Sequence, residues 1–381
     1  MAEDWEAGGF GLYVHWPFCA AKCPYCDFNS HVTKTVDHDA WREALVSEVK
    51  RVGSLTRGRV LRSVFFGGGT PSLMDPGTTG AILDMAAKTW PLANDLEVTL
   101  EANPTSVEAG KFTAFRSAGV NRVSMGIQAL NDPDLQALGR LHTAAEGLAA
   151  FDIARSVFDR VSFDLMYGRQ KQSLTQWESE LRAALALGLD HVSLYQLTIE
   201  PGTAFGDRYK RGKLGGLPDD DLSADMYAMT QDVCSDFGMP RYEVSNHAKD
   251  GAESRHNLIY WRYGDYAGIG PGAHGRLTVQ GSRRATEQHR MPGAWLSGSD
   301  REHHQALSGT DQAVEFLMMG LRLAEGIDLN RYAQLANRPL DESRLTELTE
   351  MGLIGQQGSV INVTNQGFSL LNGVLRSLLD G

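Results

Sequence analysis

Cysteine is scarce in this chain, four in 381 residues. Three of them, Cys19, Cys23 and Cys26, fall within eight residues, which leaves only Cys234 elsewhere. One remaining thiol cannot build an internal disulfide framework, so the composition fits a reducing compartment. Positive charge is also short. Lys and Arg number 36 against 47 Asp and Glu, a net charge of −11. That balance argues against a broad nucleic-acid footprint or an electrostatic grip on anionic lipid, although Arg283-Arg284 is a local basic pair. No apolar run approaches the roughly 18 residues that span a bilayer. The first residues, Met1-Ala2-Glu3-Asp4-Trp5-Glu6, are acidic where a secretory signal is basic. The expectation is a cytoplasmic protein that does not bind nucleic acid, with at most peripheral membrane contact.

What is present is an alternating pattern. β-rich runs at 12–16, 64–66, 96–100, 122–127, 161–166 and 191–197 are separated by amphipathic helical stretches at 39–55, 78–89, 107–118, 144–158, 175–187 and 219–237. Several of these end at glycine, namely Gly119, Gly188 and Gly238. Six βα units with a loop of unusual chemistry after the first strand point to an incomplete parallel α/β barrel, whose chemistry gathers at the carboxyl ends of the strands.

That loop is Cys19-Ala20-Ala21-Lys22-Cys23-Pro24-Tyr25-Cys26. Three thiolates so close in sequence converge on one metal centre if the chain turns tightly, and thiolate is the ligand that iron–sulfur clusters prefer. A four-iron cube held by three cysteines keeps one iron open to a small molecule. A structural zinc site with His15 or His31, or buried spectator thiols, are the competing readings. After the second strand comes Gly67-Gly68-Gly69-Thr70-Pro71-Ser72. Its glycines allow close backbone approach, and its N–H groups are expected to be free for a carboxylate or ammonium-bearing headgroup. Glu101, Gln128 and Asp164 end or punctuate the third, fourth and fifth strands, where they could converge on a polyhydroxylated ligand such as a ribose. Arg140 adds a charged donor.

The Cys-x3-Cys-x2-Cys spacing, with Tyr25 before the last cysteine, resembles the radical S-adenosylmethionine (SAM) superfamily. Together with residues 13–19, Gly67 to Ser72, Glu101, Gly126-Ile127-Gln128, Arg140 and Asp164-Leu165-Met166-Tyr167-Gly168, it resembles the oxygen-independent coproporphyrinogen III oxidase family over nearly the whole chain. The resemblance implies an incomplete parallel (β/α)6 radical SAM barrel. It also implies a [4Fe–4S] cluster on Cys19, Cys23 and Cys26, and SAM bound by Tyr13, Tyr25, Gly68, Gly69, Thr70, Glu101, Gln128, Arg140 and Asp164. After Gly168 the family usually continues Leu-Pro, whereas this chain has Arg169-Gln170.

Two features choose between branches of that family. The true oxidases carry a fourth cysteine where Phe28 stands here, and a longer arm before the first strand. The haem-chaperone branch is similar to this chain in Cys-Pro-Tyr-Cys-Asp-Phe and in a His-Asn-x-x-Tyr-Trp motif, here His256-Asn257-Leu258-Ile259-Tyr260-Trp261. Neutral histidine is a common axial ligand for haem iron, and the aromatics offer flat faces, although such a run also suits a packed strand. The branch implies haem b as cargo with His256 as candidate ligand, and apo-haemoproteins such as membrane respiratory enzymes as recipients. It also implies a cluster that gates transfer or formation of a homodimer. The alternative is the oxidase itself, which removes CO2 from two propionates through a 5′-deoxyadenosyl radical. A strand expected at 242–247 and a glycine-rich run at 268–275, with His274 as a lesser haem candidate, are expected to wall the cleft.

We divide the chain into a barrel at 1–240, an extension and linker at 241–308, and a small, mostly helical, winged-helix-like domain at 309–381. Within the second part, 283–308 is polar and rich in helix breakers, hence a linker. In the third, helices are expected at 311–324, 329–336, 341–351 and 364–379, with a strand at 359–363.

Overall fold

The computed structural model describes residues 3–298 and 301–379. Among them the expected strands are β1 (Phe10–Trp16), β2 (Leu61–Gly68), β3 (Leu92–Ala102), β4 (Arg122–Gln128), β5 (Arg160–Tyr167) and β6 (His191–Gln196). All six run parallel, in that order across the sheet. β1 is buried at six of seven positions, as strands covered on both faces are. Helices His38–Leu55, Pro76–Thr89, Ala144–Val157 and Leu174–Leu185 supply the cover; capping boxes at Thr143 and Ser173 start the last two.

The sheet continues beyond the six. After the short hairpin strands β7 (Arg241–Glu243) and β8 (Asn246–Ala248), the chain returns to add β9 (Asp265–Ile269) parallel to β1 on its far side, a seventh parallel strand. Strands β10 (His274–Val279), β11 (Ser282–Gln288) and β12 (Glu302–Ala306) follow antiparallel. The parallel sheet stays open, with antiparallel strands at both ends.

The described residues of 283–308 are therefore largely sheet with one short helix, Pro292–Ser297, in place of the linker that their polarity suggested. Burial with partners explains it. Arg283 is 3% exposed and lies 3.5 Å from Asp265, itself 0% exposed, while Arg59 donates to the same carboxylate at 2.6 Å. Nor is 242–247 one strand. Glu243 accepts from Ser245 N and the Asn246 amide, which folds Val244-Ser245 into the hairpin turn. The expected helix at 107–118 breaks into Ser106–Ala109 and Phe112–Ser117 at Gly110-Lys111, where glycine weakens a helix interior.

The C-terminal segment has its own apolar cluster, including Phe316, Leu317, Leu345, Ile361 and Leu375. Helices Gly309–Gly320, Leu329–Ala336 and Glu342–Glu350 pack with a three-stranded sheet, Ile327–Asp328, Val360–Val363 and Ile354–Gln357, as a winged-helix-like unit does. The last helix is interrupted by a turn between Asn365–Phe368 and Leu371–Leu379. Arg331 clamps Asp4 at 2.7 Å, and Tyr263 and Arg276 hold Glu315 at 2.9 and 2.7 Å, so ion pairs tie the unit to the sheet. Among the described residues no helix is long and apolar enough to cross a membrane.

Candidate functional site

Two adjoining cavities lie at the carboxyl ends of the parallel strands. The first, about 190 Å³, is lined by Cys19, Cys23, Cys26 and Tyr25 from the loop after β1, and by Gly68, Gly69 and Thr70 after β2. Glu101, Gln128, Arg140 and Asp164 complete it. The structure thus brings together every residue predicted for cluster and SAM except Tyr13. That side chain faces the second cavity, its hydroxyl 2.9 Å from His15 Nδ1.

The three thiols stand in one loop whose turn is closed by Cys26 N on Cys23 O at 3.1 Å. Each has a polar neighbour: Thr70 Oγ1 donates to Cys19 Sγ at 3.4 Å, Arg140 Nη1 donates to Cys23 Sγ at 3.3 Å, and Ser30 Oγ lies 3.8 Å from Cys26 Sγ. Burial, with the other thiols adding to it, pushes Cys19 and Cys26 above the ordinary thiol range. Such donors favour thiolate once a cation is bound. The chemistry of this donor set, three thiols with polar neighbours, fits an iron–sulfur cluster, which Cys19, Cys23 and Cys26 would hold.

Asn103, which sequence reasoning passed over, ties the wall together. It accepts from Arg140 Nη2 at 2.7 Å and donates to Thr70 Oγ1 at 3.2 Å. Its signal was its place two residues beyond Glu101, on the same face of an extended chain. Arg140 also donates to Gly126 O at 2.8 Å, and a Cβ at Gly126 would lie 3.3 Å from the same guanidinium. Ser124, opposite Glu101 in register, donates to Asp164 at 3.1 Å. Burial and then the nearby Asp164 push Glu101 up to about 8, and burial pushes Asp164 up to about 6. Two carboxyls so placed accept hydrogen bonds from hydroxyls and favour a cation between them.

The glycine run does not offer free N–H groups. Gly68 N donates to Glu101 at 3.2 Å, Gly69 N to Trp16 O at 2.7 Å, and Thr70 N to Phe18 O at 2.9 Å. The backbone needs glycine for room instead. At Gly68, φ is +108°, and a Cβ there would sit 2.5 Å from the His15 ring.

The second cavity, about 560 Å³, is lined by Tyr13, His15, Phe28, His256, Tyr260, Tyr266, His274 and Arg290 among others. Gly68, Glu101 and Phe28 line both cavities and form the wall between them. Phe28 is 58% exposed, so this apolar ring sits at the mouth rather than in the core. The His-Asn-x-x-Tyr-Trp run is a helix, Arg255–Trp261, capped by Ser254, rather than a strand. It stacks His256 on Phe65 at 4.5 Å between ring centroids and on Tyr13 at 5.9 Å. Burial, then Arg122, lowers His256 to about 4, which keeps the imidazole neutral near pH 7. Its Nδ1 has no hydrogen-bond partner among the described residues. Trp261 packs edge-on against Tyr260 at 4.9 Å and does not line the cavity. His274 and Arg290 stand at the rim, where both reach toward Glu287.

An open parallel sheet that delivers three cysteines and a crowded glycine turn to one end is the architecture of a radical SAM protein. The radical SAM superfamily pattern matches residues 13–184, and the HemN C-terminal domain pattern matches 307–370. The chain is 40% identical to the mitochondrial radical S-adenosyl methionine domain-containing protein 1 of Bos taurus, over 97% of this chain and 87% of the bovine one. It is 38% identical to the heme chaperone HemW of Escherichia coli K12, over 97% of both. In fold it is similar to the coproporphyrinogen III oxidase HemN of Escherichia coli, with TM-score 0.80 and 22% identity, over 97% of this chain and 90% of that one. The chain belongs to the HemW family of radical SAM proteins.

Proposed function

We propose that this protein is a haem chaperone, which holds haem in the second cavity and delivers it to apo-haemoproteins such as respiratory enzymes. The observation that carries the reading is His256: a neutral imidazole, stacked on two aromatic rings, in a cavity large enough for a flat ligand. Full-length relatives named heme chaperone support it. Arg290 and the imidazole of His274, at the rim, are the groups that carboxylates of a macrocycle would meet.

Cys19, Cys23 and Cys26 would hold a [4Fe–4S] cluster, which when bound supplies one-electron reduction and an open iron for SAM. Around it Thr70 and Arg140, which donate to two of the sulfurs, would stabilise them, while Glu101, Gln128 and Asp164, which line the cavity, would orient a SAM ligand. Phe28 presents an apolar ring at the mouth shared by the two cavities.

The test uses anaerobically reconstituted protein, given haem in one sample and coproporphyrinogen III with SAM and reductant in another. The expected result is stable haem uptake that His256→Ala abolishes, with no protoporphyrinogen formed. Decarboxylated product that disappears in Cys23→Ala would make the protein an oxidase instead.

A further inference from the structure

We infer that Arg169 is a positioning residue for the first cavity, holding Gln128 in place from behind the strand ends. The inference rests on the reading that Gln128 contacts the SAM ligand of that cavity.

Gln128 is the last residue of β4 and has φ of +72°, a left-handed conformation that a residue with a side chain keeps only where its surroundings over-determine it. The pairing of β4 with β5 slips between Met125 and Gln128, and Gln128 rejoins the ladder opposite Leu165 beyond the bulge. Arg169 braces this irregular strand end. Its Nη1 donates to Gln128 O at 3.4 Å and to Met166 O at 2.7 Å, which joins the ends of β4 and β5. Its Nη2 meets Asp134 at 2.8 Å and also Glu180, and Glu180 Oε1 accepts from Leu130 N at 2.6 Å. The ring closes from Gln128 through Leu130, Glu180 and Arg169 back to Gln128. Gln172 locks it, accepting from Arg169 N at 3.1 Å and donating to Glu180 at 3.4 Å.

Arg169 is 4% exposed and does not line the first cavity, so it acts through Gln128. Its two carboxylate partners offset the cost of burying the guanidinium. The planar fork is what the arrangement uses, because one group must serve two carbonyls and two carboxylates at once. An ammonium keeps the charge but not that geometry.

The experiment measures SAM binding to the cluster-loaded protein by anaerobic equilibrium dialysis, with haem uptake and thermal midpoint alongside. Arg169→Lys is expected to weaken SAM binding roughly tenfold, as coupled neighbours do, with haem uptake unchanged. In a Gln128→Ala background the same change is expected to add nothing, since the residue being positioned is gone. Normal SAM binding in Arg169→Lys, or losses that simply add in the double variant, would overturn the positioning role. Unchanged binding in Gln128→Ala alone would overturn the underlying reading of Gln128, and the inference with it. If Arg169→Lys does not fold, Glu180→Gln, which keeps an acceptor for Leu130 but loses the negative charge that pairs with Arg169, is expected to show the same non-additive loss.

Discussion

Glu101 gives the site a pH dependence that can be read in stability. Its carboxyl is buried beside Asp164, and the single bond from Gly68 N does not outweigh that, so its value rises from 4.5 to about 8 in the folded, ligand-free protein. The folded state then binds more protons than the unfolded one between those limits. Stability is full below about pH 4.5, falls as pH rises through this window, and levels off above pH 8. At about 1.4 kcal/mol per pH unit, the whole window amounts to at most about 5 kcal/mol, and the part between pH 6 and 8 to about 3 kcal/mol. The perturbation is Glu101→Gln, which keeps an acceptor for Gly68 N and cannot ionise. Urea unfolding of cluster-free wild type and variant at pH 6.0, 7.0 and 8.5 is the assay. The variant is expected to gain on wild type by about 3 kcal/mol between the ends of that range. Parallel pH profiles for the two proteins would refute the reasoning. A cationic ligand next to Glu101 favours its ionised form, so its affinity is expected to rise with pH over the same window.

Removing Asp265 in Asp265→Ala strands Arg59 and Arg283, both nearly fully buried, and is expected to cost about 3–5 kcal/mol in denaturant unfolding; a loss under 1 kcal/mol would show that water reaches these guanidiniums. Gly68→Ala forces a Cβ against the His15 ring at positive φ, with about 1–3 kcal/mol of backbone strain. It is expected to lower the thermal midpoint and to weaken haem and SAM binding together, since Gly68 lines both cavities; loss of one alone would speak against the shared wall.

The parts of this molecule legible in the sequence are those fixed by local chemistry. Six parallel strands were marked by apolar runs, and helix ends by glycines that indeed take positive φ, as at Gly119 and Gly188. The cysteine spacing needed only a tight loop to converge. Pairings between separate elements were not legible. Arg283 reads as a solvated loop residue until Asp265, on the neighbouring strand region, is placed beside it, and with that pair the expected linker becomes sheet. The family resemblance assigns Tyr13 to SAM. Strand alternation and the stacking partner Phe65, adjacent in register, set its ring beside His256 in the second cavity, which shares Gly68 and Glu101 with the first.

The same contrast explains the energetics of the site. Glu101 and Asp164 share a buried corner, Arg140 Nε has no partner among the described residues, Gln128 is held left-handed, and His256 is kept neutral. Each of these departs from what folding alone would choose, and all line the two cavities. A folded core that tolerates these departures is offset by ligands that relieve them. A cation lowers the cost of the carboxyl pair, an acceptor satisfies Arg140, and a metal centre uses the neutral imidazole. Filling either cavity is therefore expected to raise stability by more than ligand burial alone, and Gly68 and Glu101, common to both, are where the two contributions depart from additivity.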